Sequence, residues 1–424
     1  MLAVLEPFST SNNDLAKTLY AYCLAGTNQP EEAAEILCDI ASRHAGTEHP
    51  LQALSDLLAE LDKRPLAEAV CRAALERTPQ DARIYDILGN LLVQCGQFDE
   101  AISLLRHAVD LRPNSMHSHN LLAMALLEQG RFDEALAHLQ NVLETQPDHA
   151  GTLSNIGCML AGKGRLDEAL DYYRRAISLR PTEPQIRLNH SITLLKAGRY
   201  AQGWAEHEWR LRLPGHTSLP PSTLMPSLGP NTDIRDAMGA PVPYLRADTI
   251  KVRELAKFLP ENDNLNVGLV WGGAPRPNTI SAHIVDRRRS INLHTLSPLG
   301  DVEGVNLISL QKGPYAEQMN DPPPNMVLYD PTHLLHNMDD TAAFIMSLDV
   351  VVTVDTSVVH LAGGLGKPVL LMDRYDNCWR WLSGRTDSPW YPTLQIIRQT
   401  TPRKWDDVVE RVAQVLTILA QHKK

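Results

Sequence analysis

Hydrophobic residues in the first half of the chain recur at three- and four-residue spacing, in paired stripes. In residues 82–115, one stripe consists of Tyr85, Leu88, Gly89 and Leu92, and the next of Ala101, Leu105 and Ala108. This spacing places the apolar side chains of each stripe on one face of an α-helix. Gly96 lies between the stripes, where the left-handed backbone at a helix C-terminus favours glycine. The pattern predicts a pair of amphipathic helices joined by a short turn.

The helix pair repeats with a period of 34 residues. Alanines recur at one position and prolines at another: Ala33, Ala67, Ala101, Ala135 and Ala169, and Pro79, Pro113, Pro147 and Pro181. Six copies, beginning near residues 14, 48, 82, 116, 150 and 184, predict an all-α domain over residues 1–212. The period resembles that of tetratricopeptide repeats (TPRs). Such repeats stack into a superhelix with a concave binding surface, so we expect a protein or peptide partner in this groove.

Two asparagines are candidates for that groove. Asn155 and Asn189 occupy the same position on the first helices of two copies. By the resemblance to TPRs, this position faces the groove, where an amide would hydrogen-bond an extended peptide. The alternative is that both are ordinary solvated asparagines.

The pattern changes after the repeats. Prolines interrupt every possible helix over residues 213–243, which predicts a linker. Over residues 244–424, six apolar runs are typical of buried strands: 266–271, 305–310, 326–329, 350–354, 369–372 and 394–397. Helices are predicted around residues 340–347, 357–365 and 405–420. This alternation predicts an α/β domain with a parallel sheet, helices on both faces, and ligands at the carboxyl ends of the strands.

Composition narrows the function classes. The net charge of −10 and the pI of about 5.9 argue against a general nucleic-acid binder, which requires a basic face. The six cysteines are scattered singly, which favours packed thiols in a reducing compartment over a metal or redox site. The first ten residues lack a basic segment, and no apolar run reaches membrane-spanning length. We therefore expect a cytoplasmic protein with no membrane span and no bound metal.

The most informative motif is VVVTVDTSVVHLAGGLGKPVLL, residues 350–371. A buried strand delivers Asp355, Thr356 and Ser357 to the start of a helix, where free N–H groups and the helix dipole favour an anion. The alternative is that Asp355 or Thr356 only caps the helix. His360 lies one turn further on, where it either contacts a ligand or packs.

Several stretches together resemble the C-terminal, nucleotide-sugar-binding half of GT-B glycosyltransferases of the heptosyltransferase type, fused behind TPRs. They are GRYAQGWAEHEWR (198–210), VPYLRAD (242–248), VGLVWGG (267–273), DRRRSI (286–291), SLQKG (309–313), DTSVVHLAGGLGKP (355–368) and WRWLSGRTDSPWYP (379–392). The resemblance implies a Rossmann-like domain at residues 244–424. It also implies a nucleotide-sugar as donor substrate, with no other cofactor.

The resemblance assigns roles to individual residues. Thr356 and Ser357 would hold the diphosphate, His360 would lie toward the ribose or phosphate, and Gln311 would lie near the nucleoside. Arg289 is similar in place to the cation that neutralises phosphate in the family, whereas without the neighbouring motifs residues 287–289 favour a solvated loop. The predicted nucleotide-sugar site consists of Gly272, Arg289, Gln311, Asp355, Thr356, Ser357 and His360. Trp379, Trp381 and Trp390 are expected to pack in the core or in a lid.

One departure from the family is large. In the family, a complete N-terminal Rossmann-like half lies between the repeats and the donor domain. In this chain only residues 213–240 lie there, which is too short for a domain. The N-terminal half of a GT-B fold is therefore predicted to be missing, and no catalytic base is assigned. The leading interpretation is a TPR-containing glycosyltransferase-like protein with a metal-independent transfer. The alternative is a scaffold with a degenerate transferase domain.

Overall fold

The computed structural model describes residues 13–43, 49–61, 63–213, 243–274 and 286–423. The chain forms two compact units, one ending at Met159 and the other beginning at Leu160. Most of the predicted linker, residues 213–243, lies outside the described residues. The predicted domain boundaries at residues 212 and 243 stay predictions.

The first unit consists of helix pairs. Its helices are α1 (Asp14–Gly26), α2 (Pro30–Arg43), α3 (Leu51–Glu60), α4 (Arg64–Arg77), α5 (Ala82–Cys95), α6 (Phe98–Leu111), α7 (Met116–Glu128), α8 (Phe132–Thr145) and the first part of α9 (Ala150–Gly162). The copies predicted to begin at residues 14, 82, 116 and 150 begin there, and the copy predicted near residue 48 begins its helix at Leu51. The periodic apolar stripes therefore identified the helices correctly.

The α5–α6 pair shows how the repeat residues pack. A Cβ at Gly89 would lie 2.6 Å from Cγ of Leu105, so glycine lets the two helices approach closely. Leu105 and Ala108 are fully buried. Gly96 ends α5 with φ 78°, a left-handed conformation that costs glycine little. Asp81 begins the helix by accepting the Arg83 N–H at 3.0 Å.

The second unit contains the remaining repeat helices and the sheet. Its helices are α10 (Leu166–Leu179), α11 (Pro184–Lys196), α12 (Tyr200–His207), α13 (Thr249–Ala256), α14 (Met338–Ser347), α15 (Ser357–Gly364) and α16 (Asp406–Lys423). Its strands are β1 (Leu265–Val270), β2 (Val305–Ser309), β3 (Leu328–Tyr329), β4 (Val350–Thr353), β5 (Val369–Asp373) and β6 (Leu394–Arg398). Segments of 3-10 helix cover Glu208–Arg212, Leu293–Asp301, Pro314–Asn320, Thr332–Leu334 and Trp379–Trp381.

The six strands form one parallel sheet in the order β3-β2-β1-β4-β5-β6. Both faces of β4 are buried, because Val350 and Val352 pack into one apolar cluster and Val351 into the other. Phe344 of α14 covers one face and Val412 of α16 covers the opposite face. Burial on both faces explains why the strands read as continuous apolar runs.

Within the described residues, the predicted α-helices and strands differ from the observed ones at their ends, and α-helix α13 and the 3-10 segments after β1 were not predicted. β3 contains only Leu328–Tyr329, although Met326 is buried in the core as expected. α16 extends to Lys423, beyond its predicted end at residue 420. Helix α13 was not predicted, because its mixed residues carry little apolar periodicity and none of them is fully buried.

Candidate functional site

The carboxyl ends of β1 and β4 lie side by side. The two strands pair in parallel with Val270 opposite Thr353, and the N–H of Val354 donates to the Val270 carbonyl at 3.2 Å. The order of the strands along the sheet reverses between β1 and β4. Residues 271–273 and residues 355–357 therefore meet at one edge of the sheet. This edge brings together most of the residues predicted to bind a nucleotide-sugar.

Gln311 follows β2 and holds the backbone at the end of β1. Its Oε1 accepts the N–H groups of Trp271 at 3.0 Å and Gly272 at 2.8 Å, and its Nε2 donates to the Gly272 carbonyl at 3.1 Å. The ring of Tyr315 occupies the space that a side chain at Gly272 would need. Gln311 is buried, and its amide is saturated by backbone groups. Its predicted place near a nucleoside stays a prediction.

Arg289 connects the segment after β1 to the end of β4. Nη1 donates to the Asp355 carbonyl at 2.9 Å, while Nε and Nη2 donate to Oδ1 of Asp286 at 3.1 and 2.9 Å. Asp286 is fully buried, and Arg289 is about one-quarter exposed. A side chain at Gly273 would collide with both, so this glycine makes room for the ion pair. The predicted cation therefore lies at the predicted edge, in an ordered position.

Helix α15 begins at this edge. Thr356 precedes its first residue with φ −132° and ψ 177°, and its side chain makes no capping hydrogen bond within the helix. Oγ1 of Thr356 lies 3.3 Å from Oγ1 of Thr353, and Ser357 is exposed. Thr356 thus occupies the N-cap position without a side-chain capping hydrogen bond, and its role toward a ligand stays a prediction. The first turn of α15 has N–H groups at the sheet edge.

His360 lies on α15 in an aromatic setting. Its ring stacks on Trp381 with centroids 5.3 Å apart and planes inclined by 12°. Nδ1 lies 2.9 Å from Oη of Tyr391, and Nε2 lies 4.0 Å from Oδ1 of Asp355. Burial lowers the pKa of His360, against the opposite effect of the Asp355 carboxylate. Burial also raises the pKa of Tyr391, whose hydroxyl lies 3.5 Å from that of Tyr244.

The tryptophans after β5 pack against protein side chains. Trp381 is fully buried. Trp379 contacts Trp204 of α12 edge-to-face at 5.3 Å, and Trp390 contacts Tyr200 in the same manner at 6.3 Å. These contacts join the last repeat to the loop after β5. They agree with the packing role that we expected for these tryptophans.

The two groove candidates on the repeats each contact a nearby amide. Nδ2 of Asn155 donates to Oδ1 of Asn120 at 3.2 Å, and the same oxygen accepts the Thr152 hydroxyl at 3.1 Å. Oδ1 of Asn189 accepts from Nε2 of Gln185 at 2.9 Å. Both asparagines are half-buried, and their binding to a peptide stays a prediction.

A cluster of charged residues near β5 was not predicted. Asp373 ends β5 and pairs with Nε of Arg398 at 2.7 Å, and burial raises its pKa to about 6 despite this cation. Burial lowers the pKa of Lys196, the last residue of α11, to about 8. Although burial acts to raise the pKa of Asp376, neighbouring arginines hold it below its ordinary range. The position of Asp373 at a strand end was the available signal, whereas Lys196 follows no repeat pattern.

In the part of the chain that the structure describes, no group of three or more His, Cys, Asp or Glu side chains is arranged to hold a metal ion. No helix within the described ranges is both long and apolar enough to cross a membrane.

Comparison with known families supports the assignment of tetratricopeptide repeats in the first half of the chain. A family model described as tetratricopeptide repeat matches residues 115–182. A model described as anaphase-promoting complex, cyclosome, subunit 3, matches residues 63–142. The chain carries tetratricopeptide repeats. Both matches lie within the helix pairs and ahead of the sheet.

Individual relatives match part of the chain. Protein FlbA of Caulobacter vibrioides is 22% identical over 249 residues, which cover 55% of this chain and 38% of FlbA. The chain thus spans less than two fifths of that relative. TTC0263, a thermophilic TPR protein in Thermus thermophilus, is 22% identical with a TM-score of 0.36, over 40% of this chain and 92% of that one. YrrB, a TPR protein with an unusual peptide-binding site, is 21% identical with a TM-score of 0.31, and the match covers 43% of this chain and 95% of YrrB.

Proposed function

We propose that this TPR-containing chain is a glycosyltransferase-like protein that binds a nucleotide-sugar at the carboxyl edge of its sheet. One observation carries the proposal: β1 and β4 are neighbours at the point where the strand order reverses. Open parallel sheets bind ligands at such a point, and this strand order is that of doubly wound, Rossmann-type sheets. The topology therefore supports a Rossmann-like domain corresponding to the C-terminal half of a GT-B fold.

The diphosphate is proposed to lie at the first turn of α15. The free N–H groups there and the hydroxyls of Thr356 and Ser357 suit an anion. Arg289 supplies positive charge from the adjacent strand end. Breaking the bond between sugar and phosphate leaves negative charge on the nucleoside diphosphate, and these groups would stabilise that charge without a metal ion.

The other predicted residues shape this site. Gln311 holds Gly272 and thereby positions the backbone beside the proposed nucleoside. His360 is kept neutral near pH 7 by burial, which lowers its pKa, so it would contribute a hydrogen bond to ribose or phosphate and not a charge. We assign no catalytic base. Asp355 is proposed to orient His360 from the start of α15.

The repeats are proposed to hold the protein acceptor or another protein partner. TPR arrays bind peptides and proteins on their concave surface. The hydrogen bonds among Asn120, Thr152 and Asn155 order these polar side chains in advance, which reduces the entropy lost when a peptide binds. The proposal includes a cytoplasmic location, since the cysteines of the described residues form no disulfide.

The test is a thermal-shift screen of the full chain against UDP, ADP, GDP and CMP. We expect at least one nucleotide to raise the melting temperature. The double variant Thr356→Val/Ser357→Ala should lose that shift and keep its unliganded melting temperature, because the Thr356 hydroxyl caps no helix. Thr341→Val, in the first turn of α14, is the matched control and should keep the shift. Unchanged nucleotide affinity in the double variant would refute the diphosphate site.

Donor hydrolysis then separates the transferase from the scaffold. Nucleotide binding with turnover of the corresponding nucleotide-sugar supports an enzyme. Binding without turnover, also in the presence of a protein partner, supports the scaffold interpretation. The saturated amide of Gln311 favours this second function, as does the prediction that the N-terminal half of a GT-B fold is missing.

A further inference from the structure

His360 is held by side chains from outside its own helix. Nδ1 lies 2.9 Å from Oη of Tyr391, and the ring stacks on the fully buried Trp381 with an inclination of 12°. The Tyr244 hydroxyl in turn donates to Oη of Tyr391 at 3.5 Å. These contacts fix both the position and the plane of the imidazole ring.

Backbone packing keeps Tyr391 and Tyr244 against α15. A Cβ at Gly363 would lie 2.5 Å from Cγ of Tyr391, so glycine at this position lets the Tyr391 ring approach the helix. The N–H groups of Tyr244 and Leu245 both donate to the Gly364 carbonyl at 3.0 Å. Tyr391 is buried, whereas Tyr244 is more than one-third exposed. The Tyr391 hydroxyl is therefore held in a fixed place beside the helix.

The contacts of the Tyr391 hydroxyl determine which nitrogen of His360 carries the proton. The oxygen of this hydroxyl accepts from Tyr244, and its own O–H requires an acceptor because an unpaired buried donor is costly. Among the described residues, Nδ1 of His360 is the remaining partner of this hydroxyl. Because Tyr391 donates to Nδ1, the single proton of the neutral ring lies on Nε2.

The surroundings of Nε2 favour the same proton. Nε2 lies 4.0 Å from Oδ1 of Asp355, whose carboxylate attracts an N–H and would repel a nitrogen lone pair. At 4.0 Å the two groups make no hydrogen bond, so the N–H of Nε2 can donate to a further group. The His360 side chain is about one-third exposed, and Asp355 directly precedes the N-cap residue of α15, where the proposed diphosphate lies.

We propose that Tyr391, oriented by Tyr244, is a positioning residue that makes His360 a hydrogen-bond donor through Nε2 toward a phosphate or ribose oxygen of the bound nucleotide-sugar. The ligand in this statement rests on the proposed nucleotide-sugar site, whereas the proton on Nε2 follows from contacts within the protein. The same arrangement excludes His360 as the base that deprotonates an acceptor hydroxyl, because neither ring nitrogen presents a lone pair to the site.

The first test is the NMR signature of the imidazole ring in the full chain. With isotope-labelled histidine, long-range proton–nitrogen correlations distinguish a protonated ring nitrogen from an unprotonated one, and His360→Gln identifies the signals of this ring. Near pH 7 we expect a proton on Nε2 and none on Nδ1. Tyr391→Phe should shift the Nδ1 resonance, because this nitrogen loses its donor, whereas the control Tyr329→Phe on β3 should not. A proton on Nδ1 in the unchanged protein, or an Nδ1 resonance that Tyr391→Phe leaves in place, would overturn the assignment.

The second test measures affinity by calorimetry with the one of UDP, ADP and GDP that gives the largest thermal shift. Tyr391→Phe should weaken binding about two- to tenfold, the range of one neutral hydrogen bond, because the donor at Nε2 is no longer fixed. His360→Gln places an amide N–H near the position of Nε2, whereas His360→Asn places its amide near Nδ1. The glutamine variant should therefore bind the nucleotide more tightly than the asparagine variant. The reverse order would contradict a donor at Nε2.

A third comparison separates positioning from a merely structural role. In the His360→Gln background, Tyr391→Phe should cause no further loss of affinity, because Tyr391 acts through the ring that is already replaced. Equal losses in the two backgrounds would show that Tyr391 acts through the fold and not through His360. If Tyr391→Phe does not fold, Tyr244→Phe changes a side chain that is more than one-third exposed and provides the same comparisons.

The nucleotide-sugar site and the role of Tyr391 fail separately. If none of the nucleotides raises the melting temperature, the site and with it the ligand contact of Nε2 are refuted, and the NMR signature still decides which nitrogen of His360 is protonated. If a nucleotide binds but Nδ1 carries the proton, the site stands and the role of Tyr391 is refuted.

Discussion

Nη1 of Arg289 donates a 2.9 Å hydrogen bond to the backbone carbonyl of Asp355 and thereby ties the segment after β1 to the end of β4. The same guanidinium neutralises the fully buried carboxylate of Asp286. Arg289 therefore has a structural role in addition to its proposed contact with phosphate. The two roles lead to separate predictions.

The structural role predicts a loss of stability in Arg289→Ala. Removing one member of a buried ion pair leaves an uncompensated charge, so we expect the free energy of unfolding to fall by about 3 kcal/mol. Urea denaturation followed by circular dichroism measures this. Asp286→Asn in the Arg289→Ala background removes the stranded charge and should recover much of the loss. A double variant as unstable as the single one would contradict this explanation.

The ligand role predicts a selective loss of affinity. Arg289→Ala should weaken binding of a nucleoside diphosphate more than binding of the corresponding nucleoside, because its proposed contribution is electrostatic. Calorimetry with both ligands, at a temperature where the variant is folded, measures the difference. Equal losses for the two ligands would remove Arg289 from the proposed site.

The close contact at Gly89 predicts that the packing of helices α5 and α6 does not tolerate a larger residue there. A methyl group at Gly89 would lie 2.6 Å from Leu105, so Gly89→Ala should destabilise the protein by about 1–3 kcal/mol through overpacking. Leu105→Ala opens space at the same contact. The two substitutions should therefore cost less together than the sum of their separate effects, which a double-mutant cycle by denaturant unfolding measures. Strict additivity would show that the glycine is not required by this contact.

The lowered pKa of His49 predicts that the stability of the protein depends on pH. Burial lowers its pKa to about 4, and its Nδ1 accepts the N–H of Leu51 at 3.1 Å. Between pH 6.5 and pH 4, the unfolded chain binds a proton that folded His49 rejects, so stability falls as the pH falls. The shift corresponds to at most about 3 kcal/mol.

The control for this prediction is His49→Asn, whose side-chain oxygen can accept the same N–H without titrating. Its free energy of unfolding should decline less than that of the unchanged protein between pH 6.5 and pH 4. Parallel declines in the two proteins would show that His49 is not the titrating group.

The contact between Trp204 and Trp379 predicts that the last repeat and the loop after β5 stabilise each other. Their rings meet edge-to-face with centroids 5.3 Å apart. A double-mutant cycle with Trp204→Ala and Trp379→Ala should give a coupling energy of about 0.5–1.5 kcal/mol. Trp204→Ala combined with Tyr329→Ala on β3 is the control and should be additive. A coupling energy of zero between the tryptophans would show that their contact adds no stability.

Local patterns allowed most of the elements to be predicted. The spacing of Leu88 and Leu92 indicates which face of a helix is apolar. The continuous apolar run at residues 350–354 indicates a strand that is buried on both faces. The ends were predicted less well, because apolar periodicity says little about where a helix or strand stops. Helix α13 was missed since its burial depends on neighbours and not on its own pattern.

The sequence by itself determined the repeat period, the helix pairs, the change to an α/β domain, and the strand ends that carry Gly272 and Asp355. These features depend on residues close together in the chain, whose periodicity is visible in one dimension. Only the tertiary structure decided that the Gln311 amide is saturated by the backbone that follows β1 and β2, and that Trp204 of α12 contacts Trp379. Such contacts depend on which strands become neighbours and how a distant helix packs, and no local pattern encodes the distance between two residues that lie far apart in the chain.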